Sequence, residues 1–142
     1  MNPRFLQIMP QVTAWIFIVL FVYTASDKLV NVKDFSEFLN RLEFIGPYGS
    51  VLAWMIPVVE IGISLMLLLP SFRAAGLIVS IGLMLLFTFY LVYMRIAYTH
   101  LPCHCGGVIS KLTWLQHIWF NVGLIVLLLF SVRWFSWTKP AG

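Results

Sequence analysis

Four long apolar segments alternate with short polar stretches along this chain. A helix needs about 20 mostly apolar residues to cross the hydrocarbon core of a bilayer, which is about 30 Å thick. The segments that meet this requirement cover approximately residues 12–30, 50–69, 74–94 and 114–132. We therefore expect four transmembrane helices within a single integral membrane domain over residues 1–142.

The polar stretch between the first two segments has a helical pattern of its own, over approximately residues 32–44. Its apolar residues recur at helical spacing, with charged and amide residues on the other face: Val32, Phe35, Phe38, Leu39 and Leu42. Such a pattern is typical of an amphipathic helix that lies in the membrane interface. The connection over 70–73 is short, so spans two and three are antiparallel neighbours. The predicted fold class is an all-α, up-and-down four-helix transmembrane bundle with this interfacial helix.

The amino-acid composition of the chain excludes some classes of function. Hydrophobic residues make up 61% of the chain and charged residues 10%, with a mean hydropathy of +0.96, whereas a soluble domain carries about 25% charged residues. A soluble enzyme is therefore excluded. The net charge of +4 reflects basic residues spread over loops and tails, so the expected partner is the lipid bilayer and no nucleic acid is expected.

The charges outside the spans favour one orientation. Four spans put both termini on one side of the membrane, and basic residues occur on both sides in similar numbers. The acidic residues of the connections all lie on the side opposite the termini: Asp27, Asp34, Glu37 and Glu43. The side with the termini is therefore more positive. We expect cytoplasmic termini and a third-to-fourth connection on the opposite side of the membrane.

That connection holds both cysteines of the chain, in the run Cys103-His104-Cys105-Gly106-Gly107. A cysteine reacts as its thiolate, which nearby cations stabilise, and Arg95 and His104 supply such groups. A disulfide between cysteines one residue apart is strained, and strain makes it labile rather than structural. The pattern favours a redox-active dithiol with Cys103 and Cys105 as the catalytic residues.

Two other interpretations of the cysteines stay open. One is a metal site, because the cysteines with His100, His104 and His117 offer soft ligands for Cu(I) or Zn(II). The other is a simple loop staple, although a bridge over so short a loop restricts little chain entropy. The residues identify no cofactor, and neither a quinone as electron acceptor nor a Cu(I) ion is singled out by any motif.

A second group of polar residues lies inside the spans. A carboxylate such as Glu60 in the middle of a membrane helix must be protonated, paired or turned into the bundle. His117 and Asn121 share a face of the fourth span with Trp114, and helical rise puts Asn121 and Glu60 at similar depth. Lys28 approaches from the first span. The group either relays protons and tunes the thiols, or forms a hydrogen-bond network that fixes helix register.

The fourth span has a recognisable start. Thr113 and Gln116 stand three residues apart, as in a capping box, so the helix is expected to begin at Thr113. His117 then lies about 6 Å inside that end, beneath the cysteine connection. From there it would accept a proton from a thiol, pair with a thiolate, or bond to Asn121 or a carbonyl.

These residues together resemble the MauE/DoxX family of bacterial redox-associated membrane proteins. The resemblance rests on Ala25-Ser26-Asp27-Lys28-Leu29, Pro57-Val58-Val59-Glu60 and the cysteine connection, and it extends from about Val12 to Val132. The two cysteines one residue apart are similar to the MauE branch. His104 between them and Gly106-Gly107 after them depart from the usual family pattern. The resemblance implies a four-span protein involved in disulfide formation or in maturing a periplasmic enzyme of methylamine use.

The sequence thus predicts an inner-membrane thiol–disulfide protein that exchanges disulfides with a periplasmic thioredoxin-like protein or client. Cys103 and Cys105 would carry the exchange, and His104, Arg95, His117, Glu60, Lys28 and Asn121 would support it. Whether the protein is itself an enzyme is left open. The alternatives are a non-catalytic membrane subunit or chaperone that docks a redox enzyme, and a Cu(I)-handling membrane protein.

Overall fold

A computed structural model describes residues 2–97 and 113–138, and these residues are almost entirely helical, with no strand among them. Helix α1 covers Pro3–Val30, α2 Val32–Asn40, α3 Gly49–Leu68, α4 Arg73–Ala97 and α5 Trp114–Thr138, and a 3-10 turn over Gly46–Tyr48 precedes α3. Four of these helices, α1, α3, α4 and α5, are long and apolar enough to cross a membrane. The predicted all-α transmembrane fold class is confirmed.

The four long helices pack as a ring. Helix α1 contacts α3 and α5, and α4 contacts the same two helices from the other side. Consecutive long helices run in opposite directions, so the bundle has the predicted up-and-down arrangement. Its half nearest the termini is filled by apolar side chains from all four helices: Ala14, Phe17, Phe21, Ile63, Leu67, Leu77, Met84 and Leu128.

Three of the long helices extend past the predicted spans, and α4 does so by only a few residues, ending at Ala97. Helix α1 begins at Pro3 rather than near residue 12, because Asn2 caps it by accepting a hydrogen bond from the Arg4 backbone N–H at 3.3 Å. Proline is tolerated in a first turn, where backbone N–H groups have no partner within the helix. Helix α5 continues to Thr138. The helices therefore run beyond the apolar segments from which they were predicted.

Helix α2 lies across the end of the bundle opposite the termini. Its buried residues Phe38 and Leu39, with Leu42 just after it, pack against Ala53 of α3 and Met94 of α4. Lys33, Asp34 and Glu37 stay exposed on its other face. The predicted amphipathic helix is therefore present, and its apolar face packs against one end of the bundle; its location in the membrane interface stays a prediction.

Helix α2 ends at Asn40, earlier than the predicted residue 44, because the chain folds back on itself there. A Cβ atom on Gly46 would lie 2.6 Å from the Asn40 carbonyl oxygen, and one on Gly49 would collide with the Asn40 side chain. Only glycine permits so close an approach of two backbone segments. The Ser36 hydroxyl also lies 3.1 Å from that of Ser50, which ties α2 to the first turn of α3.

Candidate functional site

A buried ion pair joins the first two long helices. The Lys28 ammonium donates to Glu60 Oε1 at 2.8 Å, and the two side chains are 10% and 1% exposed. Lys28 lies in the last turn of α1, and its flexible stem reaches inward to the middle of α3. A single charge at this depth would be costly, and pairing makes the site formally neutral. Glu60 is thus turned into the bundle and paired, as expected for a carboxylate in the middle of a membrane helix.

The surroundings leave part of this pair unsatisfied. Lys28 Nζ lies 5.6 Å from the centre of the Phe87 ring, which is within the range of a cation–π interaction. The Ser64 hydroxyl donates to the Glu60 backbone carbonyl at 2.9 Å and so does not serve the carboxylate. Glu60 Oε2 is buried and has no hydrogen-bond partner within the described residues.

Helix α5 contributes two further buried polar side chains. Thr113 and Gln116 form the predicted capping box: the Thr113 N–H donates to Gln116 Oε1 at 3.0 Å, and the Gln116 N–H donates to Thr113 Oγ1 at 3.3 Å. This start of the helix turns His117 and Asn121 into the bundle, where both are buried. Within the described part of the chain, His117 Nδ1 has no hydrogen-bond partner.

These groups line one cavity of about 380 Å³. It lies between the apolar half of the bundle and the apolar side chains that pack beneath α2. All five helices contribute to its wall. Its polar residues are Thr24, Lys28, Glu60, Tyr90, His117 and Asn121, and most of the rest of the wall is apolar. Met55, Val59 and Leu86 line it and are also exposed on the outside of α3 and α4. The cavity therefore reaches the lipid-facing surface between these two helices.

The structure thus brings Lys28, Glu60, His117 and Asn121 together around one cavity. Arg95 is exposed in the last turn of α4 and does not line that cavity. Cys103, His104 and Cys105 lie outside the described residues, as does His100. Of the residues suggested for a metal site, only His117 is described, and the described residues contain no cluster of three or more His, Cys, Asp or Glu.

Some residues of the site were not indicated by the sequence. Thr24 stands four residues before Lys28 on the same face of α1, and this spacing was the available signal. Phe87 and Tyr90 read as ordinary apolar residues of the third span, because nothing in their spacing marks a neighbour on another helix. The pairing of Lys28 with Glu60 was also not predicted, although Glu60 is an isolated charge within one apolar segment and Lys28 lies near the end of another.

Comparison with known proteins gives one result. The family model described as methylamine utilisation protein MauE matches residues 6–133. No curated protein and no solved structure matches the chain significantly. The wider relation to DoxX proteins stays a prediction from the residues. Because the matched region covers most of the sequence, including all four spans, the chain belongs to the MauE family of membrane proteins.

Proposed function

We propose that this protein is an inner-membrane thiol–disulfide protein whose Cys103 and Cys105 alternate between dithiol and disulfide in the service of a periplasmic client. Membership of the MauE family supports a membrane role. The spacing of the two cysteines supports the redox role, because a bridge between them would be strained and ready to exchange.

The observation that carries the proposal is that the buried polar site lies near the two helix ends, of α4 and α5, that the cysteine segment connects. Helix α4 ends at Ala97 and α5 begins at Trp114, and these two helices contact each other. Both ends of segment 98–112 are therefore attached to the end of the bundle that holds Lys28. His117 stands in the first turn of α5, between that end and Glu60. This arrangement supports a polar site that tunes the thiols or relays their protons.

The disulfide is transferred from the cysteine pair to the client in two exchange reactions. A client thiolate attacks one sulfur of the Cys103–Cys105 disulfide, which forms a mixed disulfide and releases the other cysteine as a thiolate. A second client thiolate then attacks the client sulfur of the mixed disulfide, so that the client leaves with a disulfide and the pair remains as a dithiol. In this proposal Arg95 and His104 stabilise the released thiolate.

We further propose that the cysteine segment faces the periplasm and that the termini are cytoplasmic. An exposed cysteine pair would stay reduced in the cytoplasm, whereas the periplasm maintains disulfides. The partner is then a periplasmic thioredoxin-like protein or a client enzyme. The family description points to an enzyme of methylamine utilisation as one such client.

The test is complementation of a deletion strain by cysteine variants of the full chain. Cys103→Ser and Cys105→Ser should each abolish function as fully as the double variant, because exchange needs both sulfurs, and a single variant should trap a mixed disulfide with its partner. Ser110→Ala, in the same segment, serves as the control and should complement normally. Normal complementation by the double variant would instead indicate a docking subunit, and metal that copurifies only with the cysteines intact would indicate Cu(I) handling.

A further inference from the structure

The cavity beside the ion pair has the features of a ligand site rather than of a packing defect. Its volume of about 380 Å³ falls within the range of small-molecule pockets, about 300–1,000 Å³. Buried polar atoms normally have partners, and those that lack one call for an explanation. Here Glu60 Oε2 and His117 Nδ1 both lack a partner among the described residues, and both residues line this cavity.

The wall indicates the shape of the ligand. Aromatic side chains surround the cavity from four helices: Phe21, Phe35, Phe38, Phe87, Tyr90 and Phe120. Aromatic rings favour offset or edge-to-face contact with another flat ring. Met55, Val59 and Leu86 open the cavity to the lipid phase, so the ligand would enter from the membrane and leave an apolar tail in it. A flat ring on an apolar tail satisfies both features.

The polar residues of the cavity wall, Lys28, Glu60 and His117, indicate which functional groups the ring of the ligand carries. Lys28 has three ammonium hydrogens and uses one of them on Glu60 Oε1, so it can donate to a further oxygen. His117 Nδ1 can donate when it carries the proton, and Glu60 Oε2 can accept. Ring carbonyls would be bound by the donors, and ring hydroxyls by the acceptor.

We propose that this cavity binds the head group of a membrane quinone, with the ring among the aromatic side chains, its oxygens against Lys28, Glu60 and His117, and its tail between α3 and α4. The oxidised ring presents two carbonyls and the reduced ring two hydroxyls. The site has donors for the first and an acceptor for the second, so it accommodates both redox forms.

Quinone binding goes beyond the proposed thiol–disulfide function and does not need the cysteines. Combined with that function, it supplies an electron acceptor. Conversion of the Cys103–Cys105 dithiol to a disulfide releases two electrons and two protons, and a quinone takes up both to become a quinol. This consequence rests on the proposed function, whereas binding rests on the cavity alone.

The experiment is photolabelling of the purified full-length protein in lipid nanodiscs with a quinone that carries an azide on its tail. We expect saturable labelling on peptides of α3 or α4, removed by decylubiquinone and not by decylbenzene, which has the same tail and no ring oxygens. Equal competition by the two compounds would mean that the cavity takes up apolar chains without recognising a quinone, and would overturn the proposal.

Two neighbouring residues on α4 give a matched test of the entry route. Leu86 lines the cavity and is 62% exposed, whereas Leu85 is 52% exposed and does not line it. Leu86→Trp should weaken decylubiquinone competition by about tenfold, and Leu85→Trp should leave it unchanged. Both positions face lipid, so neither variant disturbs the core. Equal behaviour of the two variants would contradict the route.

Recognition of the ring by Lys28 and Glu60 is tested by removing both of their charges together, so that no unpaired charge is left buried. Lys28→Met with Glu60→Gln should weaken decylubiquinone competition about tenfold, while the exposed pair Lys33→Met with Glu37→Gln should not. Unchanged competition in the first double variant would refute binding through these groups. Cys103→Ser with Cys105→Ser should bind as the parent protein does, so a failure of the thiol proposal is distinguishable from a failure of this one.

Discussion

The two halves of the bundle differ in how their side chains are packed. In the half nearest the termini, side chains such as Phe17, Leu67, Leu77 and Leu128 are fully buried against one another. In the half nearest the cysteine segment, the helices enclose a cavity with a paired lysine and glutamate on its wall. The first half is filled mostly by apolar side chains and holds no buried charge among the described residues, whereas the second holds two buried charges that each need the other as a partner.

Within one small domain, the half nearest the termini thus provides stability, and the other half holds the polar groups that are available for chemistry. Lipid is as apolar as the side chains, so helices in a membrane associate through close packing and through polar contacts between helices. The terminal half provides close packing and holds the helices in register. The other half can then keep polar groups and open space, which are costly for stability and useful for binding or proton movement.

The largest expected effect is on the ion pair. Lys28→Met leaves Glu60 buried without its partner and should destabilise the protein by about 3–5 kcal/mol, measured as loss of thermal stability in detergent micelles. Lys33→Met, on the exposed face of α2, should have little effect. Adding Glu60→Gln to Lys28→Met should recover much of the loss. An unchanged thermal stability for Lys28→Met would show that the half with the cavity does not depend on the pairing of its charges.

A smaller effect is expected from close packing in the terminal half. A Cβ atom on Gly76 of α4 would lie 3.0 Å from Leu67 Cδ2 and 3.1 Å from the Leu67 backbone nitrogen. Gly76→Ala should therefore cost about 1–3 kcal/mol through overpacking. Gly82→Ala is the control on the same helix, since a Cβ there meets nothing within 4 Å. Equal melting temperatures for the two variants would mean that this contact can relax freely.

The smallest effect concerns the first turn of α5, which carries His117 to the cavity. Thr113→Ala removes one arm of the capping box and should cost about 1 kcal/mol. The loss should appear as faster amide hydrogen exchange in the first turn of α5. Thr88→Ala, which removes a hydroxyl bonded to the Met84 carbonyl inside α4, is the control. Unchanged exchange after Thr113→Ala would show that packing, not the cap, holds this turn.

The fold was predictable from the sequence because the membrane imposes a simple rule. Any segment of about 20 apolar residues must satisfy its backbone internally and becomes a helix. The capping box at Thr113 and Gln116 was predictable for a similar reason, since both of its bonds are local in sequence. The end of α2 at Asn40 was not predictable, because it depends on the close approach of Gly46, in the following 3-10 turn, and of Gly49, at the start of α3.

The candidate site was predictable only in part. Glu60, His117 and Asn121 are conspicuous as polar residues in apolar segments, and helical rise placed two of them at similar depth. The reach of the Lys28 side chain to Glu60 depends on which faces of α1 and α3 meet, and one sequence does not contain that information. The same is true of the position of Phe87 beside Lys28 and of the cavity wall, which form only when all five helices pack together.

The central claim is that Cys103 and Cys105 form a redox-active pair on the periplasmic side. The most direct measurement is labelling of intact spheroplasts with a membrane-impermeant maleimide, before and after treatment with a reductant. Both cysteines should be labelled without lysis, and labelling should rise on reduction because part of the population holds a disulfide. Labelling that appears only after lysis would place the cysteines on the cytoplasmic side, and labelling that is unaffected by reductant would show that they do not form a disulfide.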